Sequence, residues 1–204
     1  MAIYRATVFG HLEGGETFNF TLHIQAVTGL DDVIAARVAD AVTLMWSGTN
    51  TPAGNITALY PASIGVDGVK VDELDDLNKN AAQSIVGLSL VGTGTSEPLP
   101  PQCAIAVSLR TALPTRAGRG RFFLPSPIVD TVVSQRLDSA SQTDILNGAL
   151  AMLEHIKAVY TPVIFHRNNG TGDEIISVDV GDVFDNQRRR RNQLVETRVR
   201  HALT

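Results

Sequence analysis

Between residues 18 and 24 the side chains alternate strictly. Phe18, Phe20, Leu22 and Ile24 take turns with Asn19, Thr21 and His23. Period-two alternation of this kind belongs to a strand with one face buried and the other wet. It restricts the chain to a sheet that something else covers on one side. Ala2–His11, also rich in β-branched and aromatic residues, precedes it across the turn-like Glu13-Gly14-Gly15, so the two segments read as a hairpin.

A helix follows. Thr28-Gly-Leu-Asp31 resembles a capping box, and Leu30, Val33, Ile34, Val38, Ala41, Val42 and Met45 fall on one helical face ahead of Gly48. Asn55–Ala62, Val66–Val71 and Ser84–Val91 then read as extended. Beyond a Gly/Thr/Pro-rich stretch the same grammar returns. Cys103–Thr111 and Arg119–Leu124 are strand-like, and Ser141-Gln-Thr-Asp144 opens a helix with Ile145, Leu146, Ala149, Leu150, Leu153 and Ile156 on one face. Pro162–His166 and Glu174–Val180 close the series, with Asn168-Asn169-Gly170 as the turn between them.

Hairpin-linked strands pair antiparallel, and amphipathic helices need a surface to cover. The fold expected is therefore α+β, with antiparallel sheets, two amphipathic helices and strand–strand–helix–strand–strand units in pseudo-duplicate. The pattern is compatible with one structural domain over residues 1–204. It is equally compatible with similar halves, 1–91 and 103–185, joined by loop 92–102 and followed by an Arg-rich segment, 186–204. With 44% hydrophobic and 19% charged residues, wholesale disorder is not expected. Neither a signal peptide at Met1–Ala6 nor an apolar run long enough for a membrane span is read from the sequence. Cys103 is the single cysteine, which leaves no internal disulfide and points to a protein made in a reducing compartment.

Charge is unevenly placed. Residues 1–100 hold four Lys/Arg against eleven Asp/Glu, and residues 101–204 hold thirteen against ten. Fourteen of the seventeen basic residues are arginine. One patch is Arg110, Arg116, Arg119 and Arg121; the other is Arg188, Arg189, Arg190 and Arg191, followed by Arg198 and Arg200. Arginine's planar five-donor fork suits carboxylate and phosphate partners better than lysine does. The four arginines of the first patch and Arg188–Arg191 are the candidate contacts to other subunits or to nucleic acid, with a solvated basic tail as the plainer reading of Arg188–Arg191. No aromatic residue interleaves Arg188–Arg191, so base stacking is not expected there.

Nothing in the spacing reads as a catalytic or metal site. Gly92-Thr-Gly-Thr-Ser-Glu97 lacks the Gly-Lys-Ser/Thr ending of a phosphate loop, and the five histidines form no metal-binding pattern. The acidic run Asp72-Glu73-Leu74-Asp75-Asp76 lacks the spacing of a calcium loop. It reads as a solvated turn or as a partner for the arginines of a neighbouring copy. No enzyme, cofactor or small-molecule substrate is expected.

Three segments carry a resemblance: Leu99-Pro-Pro-Gln-Cys-Ala-Ile-Ala-Val-Ser-Leu-Arg-Thr111, Arg119-Gly-Arg-Phe-Phe-Leu-Pro125 and Asp185-Asn-Gln-Arg-Arg-Arg190. With Gly15-Glu16, they are similar to a group of poorly characterised virion structural proteins of bacteriophages and environmental viruses. Cys103 and the residues beyond Asn192 depart from that pattern. The resemblance implies a structural protein of a virus particle, of shell or tail alike, and carries no catalytic residues. The charge asymmetry, the arginine bias and the absence of catalytic spacing lead to the expectation of a coat or capsid subunit that assembles with copies of itself, is made in host cytoplasm and resides in the virion. A tail or neck component and a non-viral nucleic-acid-binding module are the alternatives.

Overall fold

The computed structural model describes residues 1–12, 17–27, 31–47, 56, 64–74, 82–84, 88–90, 103–125, 139–185 and 199–202. They form an α+β fold of two antiparallel sheets and two helices. In chain order the elements are β1 (Ala2–Leu12), β2 (Thr17–Ala26), α1 (Asp31–Ser47), β3 (Ile64–Glu73), β4 (Ala82–Ser84), β5 (Leu88–Leu90), β6 (Cys103–Arg110) and β7 (Arg119–Pro125). Then come α2 (Ser139–Lys157), β8 (Thr161–His166), β9 (Thr171–Glu174), β10 (Ser177–Asp185) and β11 (Val199–Ala202).

The first sheet runs β4-β3-β1-β2-β8-β9, with β5 also paired to β3; the second runs β11-β10-β6-β7. A shared path lies inside both. The series β1, β2, α1, β3, β4 is laid out as β4-β3-β1-β2, and β6, β7, α2, β10, β11 as β11-β10-β6-β7. Each is a hairpin, a helix, and a return strand beside the first strand of the hairpin. The later copy carries one addition, the β8–β9 hairpin, which leaves its own sheet and extends the first sheet at β2 through His23↔Val163, Ile24↔Pro162 and Gln25↔Thr161.

In the second half Pro162–His166 is a strand as expected and pairs within the first sheet, whereas the expected strand Glu174–Val180 is not continuous. The break falls where the chain changes sheets: the Ile175 N–H donates to the Pro162 carbonyl of β8 at 2.9 Å, and the Ile176 N–H donates to the Arg110 carbonyl of β6 at 2.8 Å. Consecutive amides thus serve different sheets. Of the expected strand Ser84–Val91, Ser84 ends β4 and Leu88–Leu90 form β5, both paired with β3, while 85–87 and 91 lie outside the described residues. Of the expected strand Asn55–Ala62 only Ile56 lies within the described residues, and it is fully buried. Leu30, Gly48 and loop 92–102 lie outside them.

The alternation in β2 holds: Phe20, Leu22, Ile24 and Ala26 are buried. α1 packs on β3, β4 and β1, α2 packs on β10, β8 and β11, and the helices pack on each other. Val33, expected on the apolar face of α1, is 49% exposed, while Ile34, Val38, Val42 and Met45 are buried as read. The sheets meet where β2 approaches β7, with Phe20 stacked on Phe122 at 4.9 Å between ring centroids. One core results, drawn from both sheets and both helices. The turn at 168–170 places Gly170 at φ 67°, the left-handed region that favours glycine.

Candidate functional site

The β6–β7 hairpin organises the first arginine patch. Its connection is pinned by the Thr111 N–H donating to the Gly118 carbonyl at 2.9 Å, and by the Gly118 N–H donating to the Thr115 carbonyl at 3.1 Å. A 3-10 turn over Arg116–Gly118 then lifts Arg116 into solvent. Register sorts the remaining side chains. Arg119 lies opposite Arg110, Arg121 opposite Ser108 and Phe123 opposite Ala106. Phe122 and Leu124, one residue out of step, point into the core.

Arg110 and Arg119 are therefore like charges directly across the ladder, an unfavourable pairing by itself. Asp179 of β10 relieves it. Arg110 Nε donates to Asp179 Oδ2 at 2.5 Å, with the carboxylate side chain only 2% exposed. Arg110 is thus engaged inside the sheet. Arg116, Arg119 and Arg121 are exposed, and none of them makes an ion pair among the described residues. Exposed Leu113 and Phe123, at 43% and 42%, border them.

Phe123 was not legible as part of the site from composition, since aromatics are few. The signal was local: in Arg119-Gly-Arg-Phe-Phe123, residues 119, 121 and 123 share one face of a strand. Arg188, Arg189, Arg190, Arg191 and Arg198 lie outside the described residues. Arg200 falls on β11 in register with Asp179.

The outer face of the first sheet is different in kind. Arg5 donates to Asp72 at 2.7 Å, and Lys70 reaches the same carboxylate at 3.2 Å. His11 pairs with Asp67 at 2.7 Å, and His166 pairs with Asp173. The described part of the acidic run is thus occupied within the chain at Asp72; Asp75 and Asp76 lie outside the described residues. No group of three or more His, Cys, Asp or Glu among the described residues is arranged to hold a metal ion. No helix among them is long and apolar enough to cross a membrane.

Two histidines are tuned by their surroundings. Burial, reinforced by Arg5, holds His23 below the ordinary histidine range, and its ring lies 5.5 Å from that of Phe165. His155 is lowered by burial and by Arg37, with Asp40 opposing. At Asp72 burial works upward, but hydrogen bonds and charge from Arg5 and Lys70 outweigh it and leave the carboxyl below its usual range.

All three shifts have one sign. An unfolded histidine binds a proton near pH 6.5, whereas these bind theirs only at lower pH, so acid favours the unfolded chain. Their stabilisation is full above about pH 6.5 and is lost as pH falls from there through the folded values. Asp72 adds to the loss only in the acidic range, as pH falls through and below the ordinary carboxyl value of 3.8. The urea midpoint is expected to be lower at about pH 5.5 than at about pH 7.5, and His23→Gln should shrink that difference. An unchanged difference in the variant would remove His23 from the account.

No protein-family model, curated protein or solved structure matches this chain.

Proposed function

We propose that the chain is a structural subunit of a virus particle, a coat or capsid protein that assembles with copies of itself. The observation that carries the reading is a contrast between two faces. On the first sheet Arg5 and Lys70 share Asp72, whereas Arg116, Arg119 and Arg121 stand exposed on the second without an ion pair among the described residues. Exposed guanidinium groups on a rigid strand form a surface prepared for an anionic partner.

The same hairpin holds much of the sequence resemblance to virion structural proteins, through Cys103–Arg110 and Arg119–Pro125. Among the described residues β7 also ends the path of its sheet, and an edge strand is a natural site for contact with another chain. Assemblies of identical subunits often join unlike patches, and charge complementarity sets the orientation and choice of partner more than raw affinity.

The test is the mass of the purified full chain by size-exclusion chromatography with light scattering, combined with its ultraviolet absorbance ratio. The expected result is particles many times the 21.8 kDa of one chain, with nucleic acid inside. Rings or tubes without nucleic acid would move the reading to a tail or neck component. A stable monomer at all concentrations would overturn assembly altogether.

A further inference from the structure

We propose that the outer face of the first sheet, around Phe9, binds a neutral carbohydrate. The Phe9 ring is the platform for a sugar ring, and Asn19, Lys70 and the His11–Asp67 pair supply hydrogen bonds to its hydroxyls. The inference goes beyond the assembly reading and does not depend on it.

β1 sets the face. Ala6 and Val8 enter the core, so Arg5, Thr7, Phe9 and His11 stand on the opposite side. Phe9 is 38% exposed, and no ring contact engages it among the described residues. Its cross-strand neighbour on β2 is Asn19, which is exposed and has no side-chain hydrogen bond among the described residues. On β3 the neighbour is Gly68, buried and without a side chain to stand beside the ring.

A bulge builds the polar margin. Phe9 pairs with Gly68 and Gly10 with Val66, so Asp67 is the extra residue of β3. Out of the ladder, its carboxylate holds His11 Nδ1 at 2.7 Å, with both side chains about half exposed. The imidazole lies over Gly65, where a Cβ would run into it, and Nε2 is its remaining polar atom. On the other side of Phe9 the Thr7 and Thr21 hydroxyls meet at 3.5 Å.

Charge and area then select the ligand. Arg5 and Lys70 are balanced on this face by Asp67 and Asp72, and both cations reach Asp72. A polyanion such as nucleic acid gains little from so balanced a surface. A stable contact between copies takes about 800 Å² from each partner around an apolar centre, and one ring among polar groups falls short of that. A sugar ring needs less. Its C–H face suits an aromatic face, and its hydroxyls, which both donate and accept, suit an amide, a carboxylate and an ammonium set side by side.

The experiment is isothermal titration calorimetry on the full chain. Its neutral probes are cellohexaose, chitohexaose and mannohexaose; its anionic controls are a heparin hexasaccharide and oligothymidylate. At least one neutral probe is expected to bind saturably, and both anions weakly or not at all. Phe9→Ala should weaken that binding about tenfold, and Asn19→Ala about fivefold. Both side chains are exposed, so neither variant should melt differently by circular dichroism.

Should Phe9→Ala melt early, Phe9→Trp keeps the question open to measurement. Trp46 is the single native tryptophan and is fully buried, so the new emission reports the surface. It should shift on adding the sugar, with affinity retained. No heat from any neutral probe at millimolar concentration would overturn the proposal. So would binding that Phe9→Ala leaves unchanged, which would put the sugar elsewhere, or preference for either anion. Particles that form normally while no sugar binds would overturn this inference and leave the assembly reading standing.

Discussion

Leucine in place of Gly148 is expected to leave no folded protein, and alanine to lower stability by about 1–2 kcal/mol. Gly148 lies in α2 where that helix presses on α1. A Cβ there would sit 2.7 Å from the Met45 carbonyl oxygen and would collide with Ile56 Cδ1. A side-chain tip can turn aside, but a carbonyl inside a helix cannot move without moving the helix. Overpacking of this kind costs about 1–3 kcal/mol, while alanine recovers up to about 1 kcal/mol of helix propensity. The alanine variant should therefore melt a few degrees lower by circular dichroism. If it melts higher than wild type, the two helices do not approach each other as described.

The second large effect lies at Asp179 and Arg110. Asp179→Ala removes a buried carboxylate and strands a guanidinium whose side chain is only 20% exposed. Breaking such a pair from one side costs about 3–5 kcal/mol. Arg110→Met should cost less, because Asp179 has further interactions that the arginine lacks. Joining Arg110→Met to Asp179→Leu should restore stability to within about 1–2 kcal/mol of wild type, since an apolar pair can replace a buried ion pair. Urea unfolding of the four proteins closes the cycle. Single variants each costing under about 1 kcal/mol would show that the pair is solvated and that Arg110 belongs with the exposed arginines.

Local chemistry made much of this architecture legible in advance. The alternation from Phe18 to Ile24, the helical stripe from Ile34 to Met45 and the Asn168-Asn169-Gly170 turn depend on neighbours in sequence, and each occurs where its residues indicate. What local pattern cannot carry is the choice of partner strand. Thr161–His166 has the composition of a strand wherever it pairs, and nothing in it names β2 over β10. The switch at Ile175–Ile176 was hidden for the same reason, because two apolar residues in a run look continuous until their amides find different carbonyls. Val33 shows the limit of periodicity, since a face inferred from spacing is wider than the contact it meets.

At the candidate site the arginines were evident from composition, but their sorting was not. Arg110 looked equivalent to Arg119 and Arg121 until Asp179, 69 positions away, was seen to claim it. Phe123 joined their face only once β7 was known to turn Phe122 inward.

The β8–β9 hairpin also sets a timetable for the newborn chain. β2 is complete at Ala26, yet the strand that closes its far side begins at Thr161. At ordinary elongation rates of about 5–20 residues per second, the ribosome needs on the order of ten seconds to supply it. Throughout that interval the first hairpin offers an unfinished edge to any nascent copy on the same message. The chain thus completes its earliest sheet with one of its latest segments, and the speed of translation governs how long neighbouring copies can reach that edge first.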